Sequence, residues 1–179
     1  MDNLLNLMAM IGDQKALIIA SGTSGLAKFH ELNDMIFIHN MSGSVLQQHD
    51  PVEEGLIRYY IENKECRQVI FIGSIEQNII DRIHNGNVQR SLGAGLKFNA
   101  SVWLKKKTNT ILSMSLHDQM LTELVVISQC RLLMDYYFIR DRVESRQLQV
   151  RGIISVTPAE QFKSVFYNGV VYNDLISMN

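Results

Sequence analysis

The sequence predicts an α/β fold, a mostly parallel β-sheet flanked by helices, and three observations carry that prediction. Short apolar runs recur with helical patterns between them, the alternation expected of a sheet covered on both faces. The runs are continuously apolar instead of alternating, as strands buried on both sides are. The 179 residues, 46% hydrophobic and 20% charged, suffice for one well-packed domain spanning residues 1–179, with no repeat, linker or low-complexity segment.

Each element has its own local reason. DNLLNLMAMIG, residues 2–12, places Leu4, Leu5, Met8 and Ile11 on one helical face and stops near Gly12. Residues 15–20, 35–39 and 68–72 are apolar strands bounded by small or polar residues. Asp50 and Pro51 open the helix that carries Tyr59 and Ile61, an aspartate cap followed by proline in the first turn. A further helix is expected from near Ile75, with Ile79, Ile80 and Ile83 apolar, to Asn85 and Gly86. Within 87–115, KFNASVWLK alternates Phe98, Ala100, Val102 and Leu104 against polar neighbours and favours a strand. From Leu116, the pattern of Met120, Leu121, Leu124, Ile127, Leu132 and Leu133 predicts an amphipathic helix, continued after a break by YYFIRDRVES. The last strands are expected at 148–156 and 163–172.

Composition excludes several partners. A net charge of -1 and a pI near 6.5 give no electrostatic case for nucleic acid. Lys105, Lys106 and Lys107 form the only basic run, between Trp103 and Asn109; it reads as a solvated turn, with phosphate or nucleic-acid binding as the alternative. No apolar stretch approaches the roughly 20 residues that span a bilayer, so no membrane is expected. The amino terminus lacks the basic region of a signal peptide, and two unpaired-looking cysteines fit a reducing compartment; the expected location is cytoplasmic. Cys66, Cys130 and the five histidines, His30, His39, His49, His84 and His117, stand singly with no metal-binding spacing. Both cysteines read as ordinary thiols.

Four ordered segments carry a family resemblance. ALIIASGTSG, residues 16–25, feeds an apolar run into a small-residue loop where the family has CxDSR. NDMIFIHNMSG resembles GDLFVVRNAGN through Asp34, Phe37, Asn40 and Gly43, with His39 in place of arginine. EGLIRYYIENKECRQVIFIGSIEQ resembles the helix and strand that deliver HxxC: Tyr59, Val69–Ile72 and Gly73 fit, histidine becomes Ser74 and cysteine becomes Gln77. QCRLLMDYYFIRDRVESRQLQVRGIISV resembles QxxxLxxxPxIRDxVxxGxLxVxGxxYDV through Gln129, Leu133, Ile139, Arg140, Asp141, Val143, Leu148, Val150 and Gly152, with proline replaced by Tyr137 or a neighbour. Over residues 10–160 the chain thus resembles the β-class carbonic anhydrases, a divergent member lacking the zinc-ligand residues.

That resemblance implies a β-carbonic-anhydrase-like fold with an N-terminal helix packing on a neighbouring subunit. It also implies a zinc site held by two thiolates, one imidazole and an aspartate or water. The corresponding positions are Ser21, Thr23, Ser74 and Gln77, whose hydroxyls and amide cannot hold zinc, and the family's aspartate–arginine pair falls on Thr23 and Gly25. Lowering the pKa of bound water from about 15.7 to about 7 is worth about 12 kcal/mol, which neutral hydroxyls do not supply.

The expected function is therefore zinc-less and non-catalytic, a binding, regulatory or scaffolding role with no cofactor. A small anion is the candidate ligand of the former active-site cleft, met by Ser21, Gly22, Thr23, Ser24, His39, Asn40, Ser74 and Gln77; no P-loop spacing is present. A cleft merely filled by small polar side chains is the plainer reading, in which His39 is a strand-end histidine bonded to backbone. Two enzyme alternatives stay open. One is carbon dioxide hydration with an atypical metal site. The other is a serine nucleophile, Ser21, Ser24 or Ser74, with His39 as base; it lacks a GxSxG elbow and an evident orienting carboxylate, although Asp34 or Glu76 could approach. Leu4, Leu5, Leu7, Met8 and Met10 offer more apolar surface than one face needs, which suggests a homodimer, unless the helix simply covers its own sheet.

Overall fold

Four of the apolar runs form the parallel strands of a six-stranded sheet in the computed structural model, which describes residues 2–20, 34–41, 46, 50–74, 114–156 and 161–172. In chain order the elements are α1 (Asp2–Ile11), β1 (Ala16–Ala20), β2 (Ile36–Asn40), α2 (Pro51–Glu62), β3 (Gln68–Ser74), α3 (Met114–Asp135), α4 (Tyr137–Glu144), β4 (Gln149–Val156), β5 (Gln161–Tyr167) and β6 (Val170–Val171). The strand order is β2-β1-β3-β4-β5-β6. The first four strands are parallel, and β5 and β6 add antiparallel at one edge. The expected helix from Ile75 and the expected strand in KFNASVWLK lie outside the described residues.

Strand β1 is buried along its whole length because both faces are covered. Leu17 and Ile19 join Val69, Phe71, Val150 and Ile154 beneath α2, α3 and α4, while Ala16, Ile18, Ile70, Ile72 and Ile153 face α1. Leu7 and Ile11 are buried in that second layer, so the carboxyl half of α1 covers its own sheet. Gln68 holds the helix end by donating from Nε2 to the Ile11 carbonyl at 2.7 Å, and Gly12 follows with φ +63°, the left-handed conformation that ends helices.

Two glycines of the family resemblance have a packing reason. A side chain at Gly73 would strike Val126 on α3, and one at Gly152 would come within 2.8 Å of both Val126 Cγ1 and Cys130 Sγ. Helix α3 therefore lies close on β3 and β4 only because both strands are bare there.

Two expectations are corrected. The segment 163–172 is not one strand but a hairpin: Asn168 (φ +47°) and Gly169 (φ +93°) turn the chain between β5 and β6. Paired positive φ values at Asn-Gly make the turn whose twist suits a tight hairpin. The apolar face read on α3 is also only part of its buried surface. Leu124 and Leu132 are half-buried, whereas Glu123 and Gln129 are buried, each against a polar partner. The helix break falls at Tyr136, whose extended backbone (φ -68°, ψ 118°) precedes Tyr137 at the first position of α4. That is the position a proline suits, so Tyr137 takes the proline's place without losing the break.

Candidate functional site

In a parallel sheet the ligand-binding crevice opens at the carboxyl ends of the strands, where the strand order reverses. Here the reversal lies around β1, which has β2 on one side and β3 on the other. The register sets Ile19 beside His39, Ala20 beside Asn40, and Ala20 beside Ile72. Met41 N–H donates to the Ala20 carbonyl at 2.9 Å, carrying the pairing one step past both strands. The carboxyl ends of β1, β2 and β3 thus stand in a row.

His39 and Asn40 close β2, and Ser74 closes β3, paired through its backbone with Ser155. Strand β1 runs between them, and the register sets Ser74 three residues beyond the level of His39, so their backbones stand roughly 14 Å apart, two interstrand spacings across and three residue rises along. The segment that follows Ala20 starts between these two ends. Ser21, Gly22, Thr23, Ser24 and Gln77 lie outside the described residues.

Alternation along β2 puts Phe37 and His39 on the face toward α2. The Phe37 ring meets Tyr60 at a centroid distance of 5.2 Å, and two turns earlier on α2 Glu53 meets His39, Nε2 to Oε2 at 2.8 Å. The side chains are 21% and 24% exposed, so the pair is only partly screened by solvent. Glu53 is held by the local sequence: Asp50 caps α2, accepting from Val52 N–H at 2.9 Å and Glu53 N–H at 3.3 Å, with Pro51 in the first turn. Among the described residues His39 is therefore bonded to a carboxylate and not to backbone. The carboxylate is Glu53, not the exposed Asp34; Glu76 lies outside the described residues. The clue was present in the sequence, since the Asp50 cap places Glu53 and Glu54 in the first turn of α2.

Behind the pair lies Tyr136, buried at the α3–α4 junction and stacked on Phe138 at 5.7 Å. Its hydroxyl has no hydrogen-bond partner among the described residues. Burial, then the nearby carboxylates of Glu54, Asp50 and Glu53, push its pKa above the ordinary tyrosine value, so it stays a neutral donor.

No group of three His, Cys, Asp or Glu among the described residues could hold a metal ion. Metal binding by cysteine needs thiolate, yet burial pushes the Cys66 thiol up to about 11 and raises that of Cys130 as well. Both thiols are free and buried in the core beneath α2, α3 and α4, where they pack as small hydrophobes.

With this geometry in view, solved structures identify the fold. The β-carbonic anhydrase CafA of Aspergillus fumigatus superposes with a TM-score of 0.64 at 20% identity, over 91% of this chain and 80% of its own. A tetrameric β-carbonic anhydrase from Sordaria macrospora gives 0.62 at 14% identity, over 92% and 86%. The wild-type CafD of Aspergillus fumigatus gives 0.57 at 15% identity, over 86% and 90%. The chain has the β-carbonic-anhydrase fold; identities this low show the fold alone. No protein-family model matches the chain, and no curated protein sequence matches it significantly. No described helix is long and apolar enough to cross a membrane.

Proposed function

We propose that this chain is a zinc-less β-carbonic-anhydrase-like protein that binds a small anion in the cleft at the carboxyl ends of β1, β2 and β3, and that it serves a binding, regulatory or scaffolding role without hydrating carbon dioxide. The observation that carries the reading is the row of strand ends with His39, held by Glu53, and Asn40 at one side of it. Backbone amides and hydroxyls of Ser21, Gly22, Thr23 and Ser24, with Ser74 and Gln77, complete the candidate cleft; such groups hold anions without a metal. No resident cofactor belongs to this reading, because the positions that carry zinc ligands in the resembling family hold hydroxyls and an amide. The chain acts in the cytoplasm as a homodimer in which the first turns of α1 meet a second copy, an arrangement in keeping with the tetrameric assembly of the Sordaria macrospora structure.

Elemental analysis of protein purified without chelators or metal-affinity tags tests the metal-free half of the reading, with zinc expected well below one per chain. Stoichiometric zinc, with hydration of carbon dioxide, would establish the alternative of an atypical metal site. Calorimetric titration with bicarbonate, formate and phosphate tests the anion half.

The His39–Glu53 pair favours one second reading, a serine activated by a carboxylate-oriented histidine. Stoichiometric labelling of Ser21, Ser24 or Ser74 by a fluorophosphonate would establish it, and unmodified protein would dismiss it.

A further inference from the structure

We infer that the outer face of α2 is a seam between two copies of this chain, where the helix packs antiparallel on the same helix of a second copy. The seam is independent of the anion-binding reading and separate from α1, which covers the opposite face of the sheet. Each of the other described glycines has a reason within its own chain: Gly12 and Gly169 hold positive φ, and Gly73 and Gly152 let α3 approach the sheet. Gly55 sits inside α2, where glycine is the least favourable residue after proline, and nothing lies within 4 Å of the place its side chain would take. Its bare backbone therefore serves something that arrives from outside the chain. The surface around it is apolar. Val52 and Tyr59, one turn before Gly55 and one after, are 76% and 46% exposed, with the half-buried Leu56 beside them. At spacings of three, four and seven residues these four form one stripe, on the side of α2 turned away from the buried Ile57 and Ile61.

Charge selects the second copy and its direction. Asp50, Glu53 and Glu54 make the amino half of α2 acidic, whereas Arg58 and Lys64 outweigh Glu62 towards its carboxyl end. A parallel pair of these helices sets like charge against like. An antiparallel pair sets the acidic half of each against the basic end of the other and opposes their dipoles. A two-fold axis near Leu56 then brings Tyr59 of each copy onto Val52 of the other and closes the two backbones over Gly55. On one flank it lays Arg58, bonded at 3.0 Å to Glu54 of its own chain, alongside Glu54 of the second copy. Each contact is made twice, as an interface between identical surfaces requires.

Light scattering of the full chain reads the mass of the assembly. In Gly55→Lys the new side chain has open space within its own chain and lysine favours helix, so circular dichroism should be unchanged while the mass halves. Tyr59→Glu should halve it too, and Tyr59→Phe should not. In Leu56→Cys two thiols meet at the axis within reach of a disulfide, and mild oxidation should give a covalent dimer. Ser145→Cys, at the exposed end of α4, should stay a single chain under the same oxidation, as should the native protein, whose two cysteines are buried. The cross-link tests the seam even where Gly55→Lys fails to fold. A monomeric native chain, a folded Gly55→Lys of undiminished mass, or a Leu56→Cys that does not cross-link overturns the seam and leaves the anion-binding reading in place.

Discussion

Gln129 on α3 accepts a hydrogen bond from the backbone N–H of Leu46, 83 residues earlier, at 2.6 Å through its Oε1. Both residues are buried, so this one bond ties the segment between β2 and α2 to the helix that covers the sheet. Gln129→Met keeps the shape of the side chain and removes the acceptor. The Leu46 N–H is then buried without a partner, at a cost of about 1–3 kcal/mol. Thermal unfolding should show Tm lowered by roughly 3–10 °C, and an unchanged Tm would mean that water replaces the bond.

Three glycines sort by what a methyl group would meet. Gly73→Ala and Gly152→Ala press on Val126, and the latter also on Cys130, so each should destabilise by about 1–3 kcal/mol through overpacking. Gly55 in α2 has open space where its side chain would be, so Gly55→Ala should stabilise by about 0.5–1 kcal/mol through helix propensity. Adding Val126→Ala to Gly73→Ala should recover part of the loss. Urea denaturation of the four variants checks the signs, and a neutral Gly73→Ala would contradict the close approach of α3.

Asp50 joins stability to the site. Its carboxylate caps the first turn of α2, and that turn presents Glu53 to His39. Asp50→Ala should cost about 1 kcal/mol of stability, whereas Asp50→Asn, which also caps, should cost only a few tenths. If the cap positions Glu53, Asp50→Ala should also weaken formate binding, and Asp50→Asn should not. Equal affinities in the two variants would confine the cap to stability.

Much of this fold is legible in the sequence because it is written in local patterns. The runs at Leu17–Ile19 and Val69–Ile72 are apolar at every position because helices cover both faces, and Asp50-Pro51 is a helix start by its own chemistry. The hairpin at Asn168-Gly169 was equally local, and the single strand expected over 163–172 overlooked that signal. Other features depend on docking between distant elements. Glu123 and Gln129 look like surface residues on α3 until Lys163 and the Leu46 N–H arrive from elsewhere in the chain. Of the candidate site, His39 and Asn40 stand at a strand end, as the alignment of β2 with its apolar run requires. The partner of His39 lies 14 residues away on α2, a relation no periodicity contains.

The two cysteines give a pH dependence with a definite sign. Burial raises the Cys66 thiol from its ordinary 9 to about 11 and raises Cys130 in the same direction, so the native state favours the protonated thiols. Below the unfolded value both states hold these protons and stability is unaffected. Above it the unfolded chain loses them first, binds fewer protons than the native state, and stability falls as pH climbs from 9 towards 11. Cys66→Ala/Cys130→Ala should flatten that part of the profile in urea denaturation. A disulfide-exchange reagent should label the native thiols only slowly at neutral pH and both of them once the chain unfolds.

Glu123 and Lys163 form an asymmetric pair: the carboxylate is 1% exposed and the ammonium 31%, at 3.1 Å. Glu123 Oε1 also accepts from Gln119 Nε2 at 3.2 Å, while Oε2 is buried without a hydrogen bond among the described residues. A buried carboxylate with one oxygen unmatched depends on its counter-ion, so the two ends of the pair are unequal under mutation. Lys163→Met strands the charge and should cost about 3 kcal/mol, tempered by the solvent at the lysine. Glu123→Gln removes the charge that needs compensation and should cost less, and Glu123→Gln/Lys163→Met should be more stable than Lys163→Met alone. Denaturation of the three variants gives the coupling free energy between the two positions. Additive losses would show that Lys163 owes its place to its other contacts and not to the carboxylate beneath it.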